Sequence, residues 1–125
     1  MFDDRSPIYR QIADQLRADI VSGALGPGDQ VMSTNQYATF HRINPATAAK
    51  AFQQLVDEGL LHKRRGLGMF VSEGAPDRLR AERRSRFVGE VLAPVVTEAA
   101  HLGISTDELV DAIRNLPVAE RLGVE

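Results

Sequence analysis

Asn44-Pro45-Ala46-Thr47-Ala48-Ala49-Lys50-Ala51-Phe52-Gln53-Gln54-Leu55-Val56-Asp57-Glu58-Gly59 leads directly into Leu60-Leu61-His62-Lys63-Arg64-Arg65-Gly66-Leu67-Gly68-Met69-Phe70-Val71. The first part predicts a helix. Asn44 offers a capping amide, and Pro45 suits the first helical position because its missing N–H has no helical partner there. Ala48, Ala51, Phe52 and Leu55 share one face, while Ala46, Thr47, Ala49, Lys50 and Gln53 point away from it. Gly59 ends the helix. Leu60-Leu61-His62 and Met69-Phe70-Val71 then read as two short strands around Gly66 and Gly68, with Lys63, Arg64 and Arg65 beside the turn. A helix followed at once by a basic hairpin offers a rod for a DNA major groove and cations for the phosphates beside it.

Working back along the chain, Ser33-Thr34-Asn35-Gln36 fits a capping box, opening a short helix with Tyr37, Ala38 and Phe40. His41-Arg42-Ile43 is a tight connection, so two short helices form a helix-turn-helix. Ser6-Pro7 reads as a capping hydroxyl and a first-turn proline, after which Ile8, Ile12, Leu16 and Ile20 form an apolar stripe. Gly23 stops that helix, Gly26-Pro27-Gly28-Asp29 turns, and Gln30-Val31-Met32 is briefly extended. Tyr9, Tyr37, Phe40, Phe52 and Phe70 fit a small core.

Beyond Val71, Glu73-Gly74-Ala75-Pro76 reads as a linker. From Asp77 a long helical pattern runs to Gly103, with Pro94 inside it predicting a kink or a break. Ser105-Thr106-Asp107-Glu108 caps a last short helix carrying Leu109, Val110, Ile113 and Leu116. The fold class expected is mainly α with a small β-hairpin wing (α+β). A winged helix-turn-helix occupies residues 1–72, a linker residues 73–76 and a helical dimerisation segment residues 77–125.

Composition sets bounds on function. The 125 residues are 43% hydrophobic and 26% charged, ordinary values for a globular chain, and contain no cysteine, which excludes disulfides and thiolate metal sites. Met1-Phe2-Asp3-Asp4-Arg5 lacks the apolar core of a signal peptide, and no run of about 18 apolar residues predicts a membrane span. The expected location is the cytoplasm. The net charge of −2 hides a pattern. Residues 41–86 hold ten Lys/Arg against five Asp/Glu, whereas residues 1–40 hold three against five and residues 87–125 two against seven. A basic middle between acidic ends concentrates positive potential where the hairpin lies.

Within that middle, Asn44 and Thr47 stand at a helix N-terminus, where N–H groups and short polar side chains suit a phosphate; capping alone is the plainer reading for Asn44, whereas for Thr47 capping and contact stand level. Lys50 and Gln53 face outward and could read base edges, or remain a solvated surface. Lys63, Arg64 and Arg65 flank a hairpin that Gly66 and Gly68 allow to approach the DNA backbone or minor groove, the alternative being a generic charged turn. Arg42 is a further phosphate candidate. Arg78, Arg80, Arg83, Arg84 and Arg86 read as solvated, or as paired with acids such as Glu82 or with a second chain. Val88, Val91, Leu92, Val95, Val96, Ala99 and Leu102 form a stripe that needs a partner, since the winged core is complete by residue 72; a second copy supplies one. His41, His62 and His101 are isolated surface or linker residues without ligand spacing. No nucleophile–base arrangement and no phosphate-cradling loop is present, so neither an enzyme nor a cofactor is expected.

Pro7-Ile8-Tyr9-Arg10-Gln11-Ile12, Gly23-Ala24-Leu25-Gly26-Pro27-Gly28-Asp29, Asn44-Pro45-Ala46-Thr47, Leu55-Val56-Asp57-Glu58-Gly59-Leu60 and Arg64-Arg65-Gly66-Leu67-Gly68-Met69-Phe70-Val71 follow one another in register. In that order and spacing they resemble GntR-type bacterial transcription regulators over roughly residues 6–72. The short helical remainder resembles the YtrA-type subfamily, in which two helices replace a large effector domain. The resemblance implies a homodimeric repressor that binds a palindromic operator in double-stranded DNA. So short a helical segment cannot enclose a metabolite by itself, which leaves a pocket between protomers as the place for a small-molecule effector. It also marks Asn35 as a DNA contact, standing where relatives carry an arginine; the amide keeps hydrogen bonding but loses the charge and the bidentate fork. The alternative is a winged-helix protein-interaction module without specific DNA binding.

Overall fold

In the computed structural model, which describes residues 2–117, Ile12, Leu16 and Ile20 fall on the buried face of a first helix, α1 (Ile8–Ser22), as their spacing predicts. Ser6 is not its cap. Pro7 takes the cap position with an extended ψ of 141° and no side-chain cap bond, so the helix starts one residue later than the sequence suggested. Gly23, at φ 92°, closes it in the left-handed conformation. After β1 (Gln30–Val31), α2 (Thr34–His41) opens with the full capping box, Ser33 accepting from the Gln36 N–H and Gln36 reaching back to the Ser33 N–H. Arg42 ends α2 at φ 56°, and α3 (Pro45–Asp57) begins with the Asn44 side chain accepting from the Ala46 N–H at 2.7 Å. Both α1 and α2 pack on α3. Around Phe52 and Leu55 of α3, the residues Ile12, Ile20, Leu60, Leu61 and Val71 are almost wholly excluded from water.

The wing comprises β2 (Leu61–Arg64) and β3 (Gly68–Val71), paired antiparallel with Leu61 opposite Val71 and Arg64 opposite Gly68. On the other edge of β3, β1 pairs Gln30 with Phe70 and Val31 with Met69, giving the order β1-β3-β2. Leu61 and Val71 enter the core at the base of the hairpin, while its tip extends into solvent.

Two expectations fail here. Ala75-Pro76 is not linker but the first turn of α4 (Ala75–Phe87), and Ala75 and Leu79 are buried in the same core as α1 and α3. The unit containing the winged fold therefore runs to Arg83 rather than stopping at 72. Proline is tolerated in a first turn, and Ala75 and Leu79 join the core formed by the preceding helices and the wing. Phe40, assigned to the core, is 69% exposed on α2.

Arg17 of α1 and Glu58, the C-cap of α3, clamp these two helices together. Arg17 donates three hydrogen bonds to the Glu58 carboxylate, through Nε to Oε1 at 3.2 Å and through Nη2 to Oε1 at 2.9 Å and Oε2 at 2.7 Å, and also bridges to Asp14. Burial pushes the Glu58 pKa up, but the Arg17 and Gln54 hydrogen bonds outweigh it, leaving the carboxyl below its ordinary value of 4.5. The bridge therefore stabilises the fold fully above that value, and this contribution is lost as pH falls through the lowered one. Arg17→Ala is expected to cost about 1–2 kcal/mol at neutral pH. In thermal melts, the gap from the parent should narrow as pH falls below 4.5 and through the lowered Glu58 pKa.

The second unit, Arg84–Glu125, contains a π-helical turn (Val88–Leu92), α5 (Ala93–His101) and α6 (Thr106–Asn115). Pro94 does not split the helix. The π turn just before it lets the Ala93 N–H reach back to the Val88 carbonyl, shifting the hydrogen-bond ladder where the proline ring has no N–H to offer. Ser105 and Glu108 form the second capping box as expected. Among the described residues, no single helix is long and apolar enough to cross a membrane.

Candidate nucleic-acid interface

The outward surface of α3 has two flanks. On one, the wing faces α3 and the start of α2 across a groove of about 590 Å³. Gln53, Lys63, Arg64, Arg65, Gly66 and Gly68 line it together with Ala49 and the Ser33-Thr34 cap. The structure thus gathers the wing candidates and one helix candidate in one concavity. Lys63, Arg64 and Arg65 are exposed there, with Arg64 resting over the Phe70 ring at 4.8 Å. Gln53 is exposed too, its amide donating to Asp57 at 2.9 Å.

The wing tip is held in shape by a contact the sequence does not announce. Gln30 of β1 donates its amide to the Leu67 carbonyl at 2.8 Å, and the Leu67 N–H closes the turn on Arg64. Gly68, at φ 124°, is where Gln30 crosses: a Cβ there would lie 2.7 Å from its Nε2. Two glycines in the hairpin were a visible signal for the turn; nothing local pointed to Gln30.

Asn35, Arg42, Asn44, Thr47 and Lys50 do not line this groove. Asn35 and Arg42 are exposed on α2 and in the turn, Asn44 has the capping role, and Thr47 is half-buried. Lys50 lies on the other flank, its ammonium 4.1 Å from the centre of the Tyr9 ring on α1. The Arg10 guanidinium beside the Tyr9 hydroxyl outweighs burial and, with the added pull of the Lys50 charge, holds the phenol below its ordinary pKa. The α1 periodicity hid this, because Tyr9 looks like one more core aromatic.

Two of the arginines expected to be solvated or ion-paired are helix staples. Arg78 donates to the carbonyl of Glu58 at the end of α3, and Arg80 donates to that of Val21 at the end of α1 at 3.0 Å. Each satisfies a carbonyl that a helix terminus leaves without a partner. Both also approach acids on α4, Arg78 toward Glu82 at 4.0 Å and Arg80 toward Asp77 at 3.9 Å. His41 is likewise less isolated than expected. It lies among Phe2, Tyr37 and Phe40, with its Nδ1 buried and unpartnered.

A helix-turn-helix, a braced basic wing and a recognition-helix surface between two cationic flanks form the scaffold of a DNA-binding domain. The sequence matches the gntR family of bacterial regulatory proteins over residues 8–71. The chain belongs to the GntR family. The HTH-type transcriptional repressor YtrA of Bacillus subtilis is 33% identical over 116 residues, spanning 91% of this chain and 88% of that protein. A GntR family transcriptional regulator from Listeria monocytogenes superposes with a TM-score of 0.68 at 26% identity, over 92% of this chain and 99% of the other. The DNA-binding domain of AraR, solved in complex with operator ORX1, superposes at 0.54 and 26% identity, over 58% of this chain and 93% of its own. The GntR assignment is thus carried by the winged fold, and the likeness to YtrA extends through the helices that follow it.

Proposed function

We propose that this GntR-family chain is a homodimeric repressor acting in the bacterial cytoplasm, with α3 and the wing docked on each half of a palindromic operator in double-stranded DNA. The supporting observation is the groove that puts Gln53 of α3 opposite Lys63, Arg64 and Arg65 of the wing. A helix seated in the major groove has phosphate backbones beside it, and the wing supplies cations at the right side for one of them. Asn35, Arg42, Asn44, Thr47, Lys50, Gly66 and Gly68 complete the proposed contact set. Repression fits the likeness to the B. subtilis relative, a transcriptional repressor. The winged domain and the helical segment are proposed as separate functional parts, with the boundary after Arg83.

Dimerisation rests on the second unit. Val88, Val91, Val95, Val96 and Leu102 are exposed, from 41% for Val96 to 66% for Leu102, and Leu92 is half-buried. Ala99 leaves the proposed set: it is 6% exposed within the chain itself and has no surface to offer a partner. Such an apolar row on a charged helix is the self-complementary surface a two-fold dimer uses.

Selection of binding sites from a random duplex pool tests this reading. The enriched sequences should resolve into an inverted repeat with half-sites about one or two helical turns apart. Failure to enrich any sequence would leave the protein-interaction alternative as the better account.

A further inference from the structure

A recognition helix lying in the major groove has a sugar–phosphate backbone on each side, and the wing accounts for only one. The opposite flank of α3 carries Lys50, which packs toward α1 rather than out over the groove floor. There its ammonium lies 4.1 Å from the centre of the Tyr9 ring, with the Arg10 guanidinium beside the Tyr9 hydroxyl. Neither Lys50 nor Arg10 forms an ion pair with an acid among the described residues, whereas Arg17, farther along α1, is tied to Asp14 and Glu58. Both cations are exposed. Two cations from different helices thus converge on one phenol, and Thr47 lies one turn before Lys50 on the same flank.

We infer that Tyr9, Arg10 and Lys50 form a second phosphate-binding site, which takes a backbone phosphate of the DNA strand opposite the one held by the wing. This rests on the DNA-binding reading above and changes one part of it: Lys50 positions the duplex and does not read a base. The cation–π contact fixes a flexible lysine before binding, so little side-chain freedom is lost when the phosphate arrives. The Tyr9 hydroxyl can donate to the same anion.

The test compares Lys50→Ala, Arg10→Ala and Tyr9→Phe with the parent chain on the selected duplex and on a set of its single-base variants, at several salt concentrations. Each lost cation should lower the steepness of log K against log salt by about 0.9, with the affinity loss uniform across the set. Tyr9→Phe keeps the ring under Lys50, so it should weaken binding modestly with the slope retained. Melting curves of all three variants confirm that the fold survives. Unchanged salt slopes for Lys50→Ala and Arg10→Ala overturn the site, as does a Lys50→Ala variant that relaxes preference at one base pair. If the parent chain binds no duplex, the functional reading falls and takes the site with it; parent binding with unaltered variants removes the site alone.

Discussion

Lys63→Ala/Arg64→Ala/Arg65→Ala in one chain is expected to lower operator affinity by several hundredfold near 0.1 M salt. Counterion release sets the size of the effect: each neutralised phosphate contributes about 0.9 to the slope of log K against log salt, so three contribute about 2.7. At 0.1 M salt each is worth on the order of tenfold. The fold should barely change, because all three side chains are exposed and the strand register rests on Leu61, Val71 and the Gln30–Leu67 contact. The one local loss is Arg64 over Phe70, worth about 0.5–1 kcal/mol at an exposed site. Fluorescence anisotropy at several salt concentrations checks both numbers. A slope reduced by less than one unit would mean that the wing faces solvent in the complex.

Val95→Glu should separate the proposed dimer. Val95 is 47% exposed in the middle of the row formed by Val88, Val91, Val96 and Leu102, so a two-fold seam through this row brings it close to its counterpart. A carboxylate buried there without a partner costs about 3–5 kcal/mol, and like charges from both copies add to it. Every 1.4 kcal/mol is tenfold, so the dimer weakens at least about a hundredfold. Operator affinity should fall as well, because the second half-site is no longer engaged by a tethered domain. Analytical ultracentrifugation decides the matter: an unchanged sedimentation coefficient would rule out this face as the seam.

Where local chemistry decides structure, the sequence was readable. The capping boxes at Ser33 and Ser105, the Asn44-Pro45 start and the glycines at 23, 59 and 103 act within a turn of themselves, and each appears where expected. Ser6 misled because a serine before a proline looks the same whether it caps or merely precedes the cap. Glu73-Gly74-Ala75-Pro76 has linker composition, yet Ala75 and Leu79 are held by the core, and that depends on residues far away in the chain. Arg78 and Arg80 bond to carbonyls far away in the chain, at Glu58 and Val21, so no periodicity could reveal them. The same holds for the interface. The wing cations and glycines were legible as a contiguous motif, whereas the Lys50–Tyr9 contact needs the packing of α1 on α3.

That α3 and the wing hold operator DNA through base contacts and several phosphates can be measured directly. The test is an anisotropy titration of the intact chain against the selected inverted-repeat duplex and a scrambled duplex of equal length, at several salt concentrations. Binding should favour the inverted repeat at least a thousandfold, in the range of about 10³–10⁷ typical of specific binders, with a steep negative salt slope on both duplexes. Equal affinity for the two duplexes, or binding indifferent to salt, would contradict operator binding of this kind.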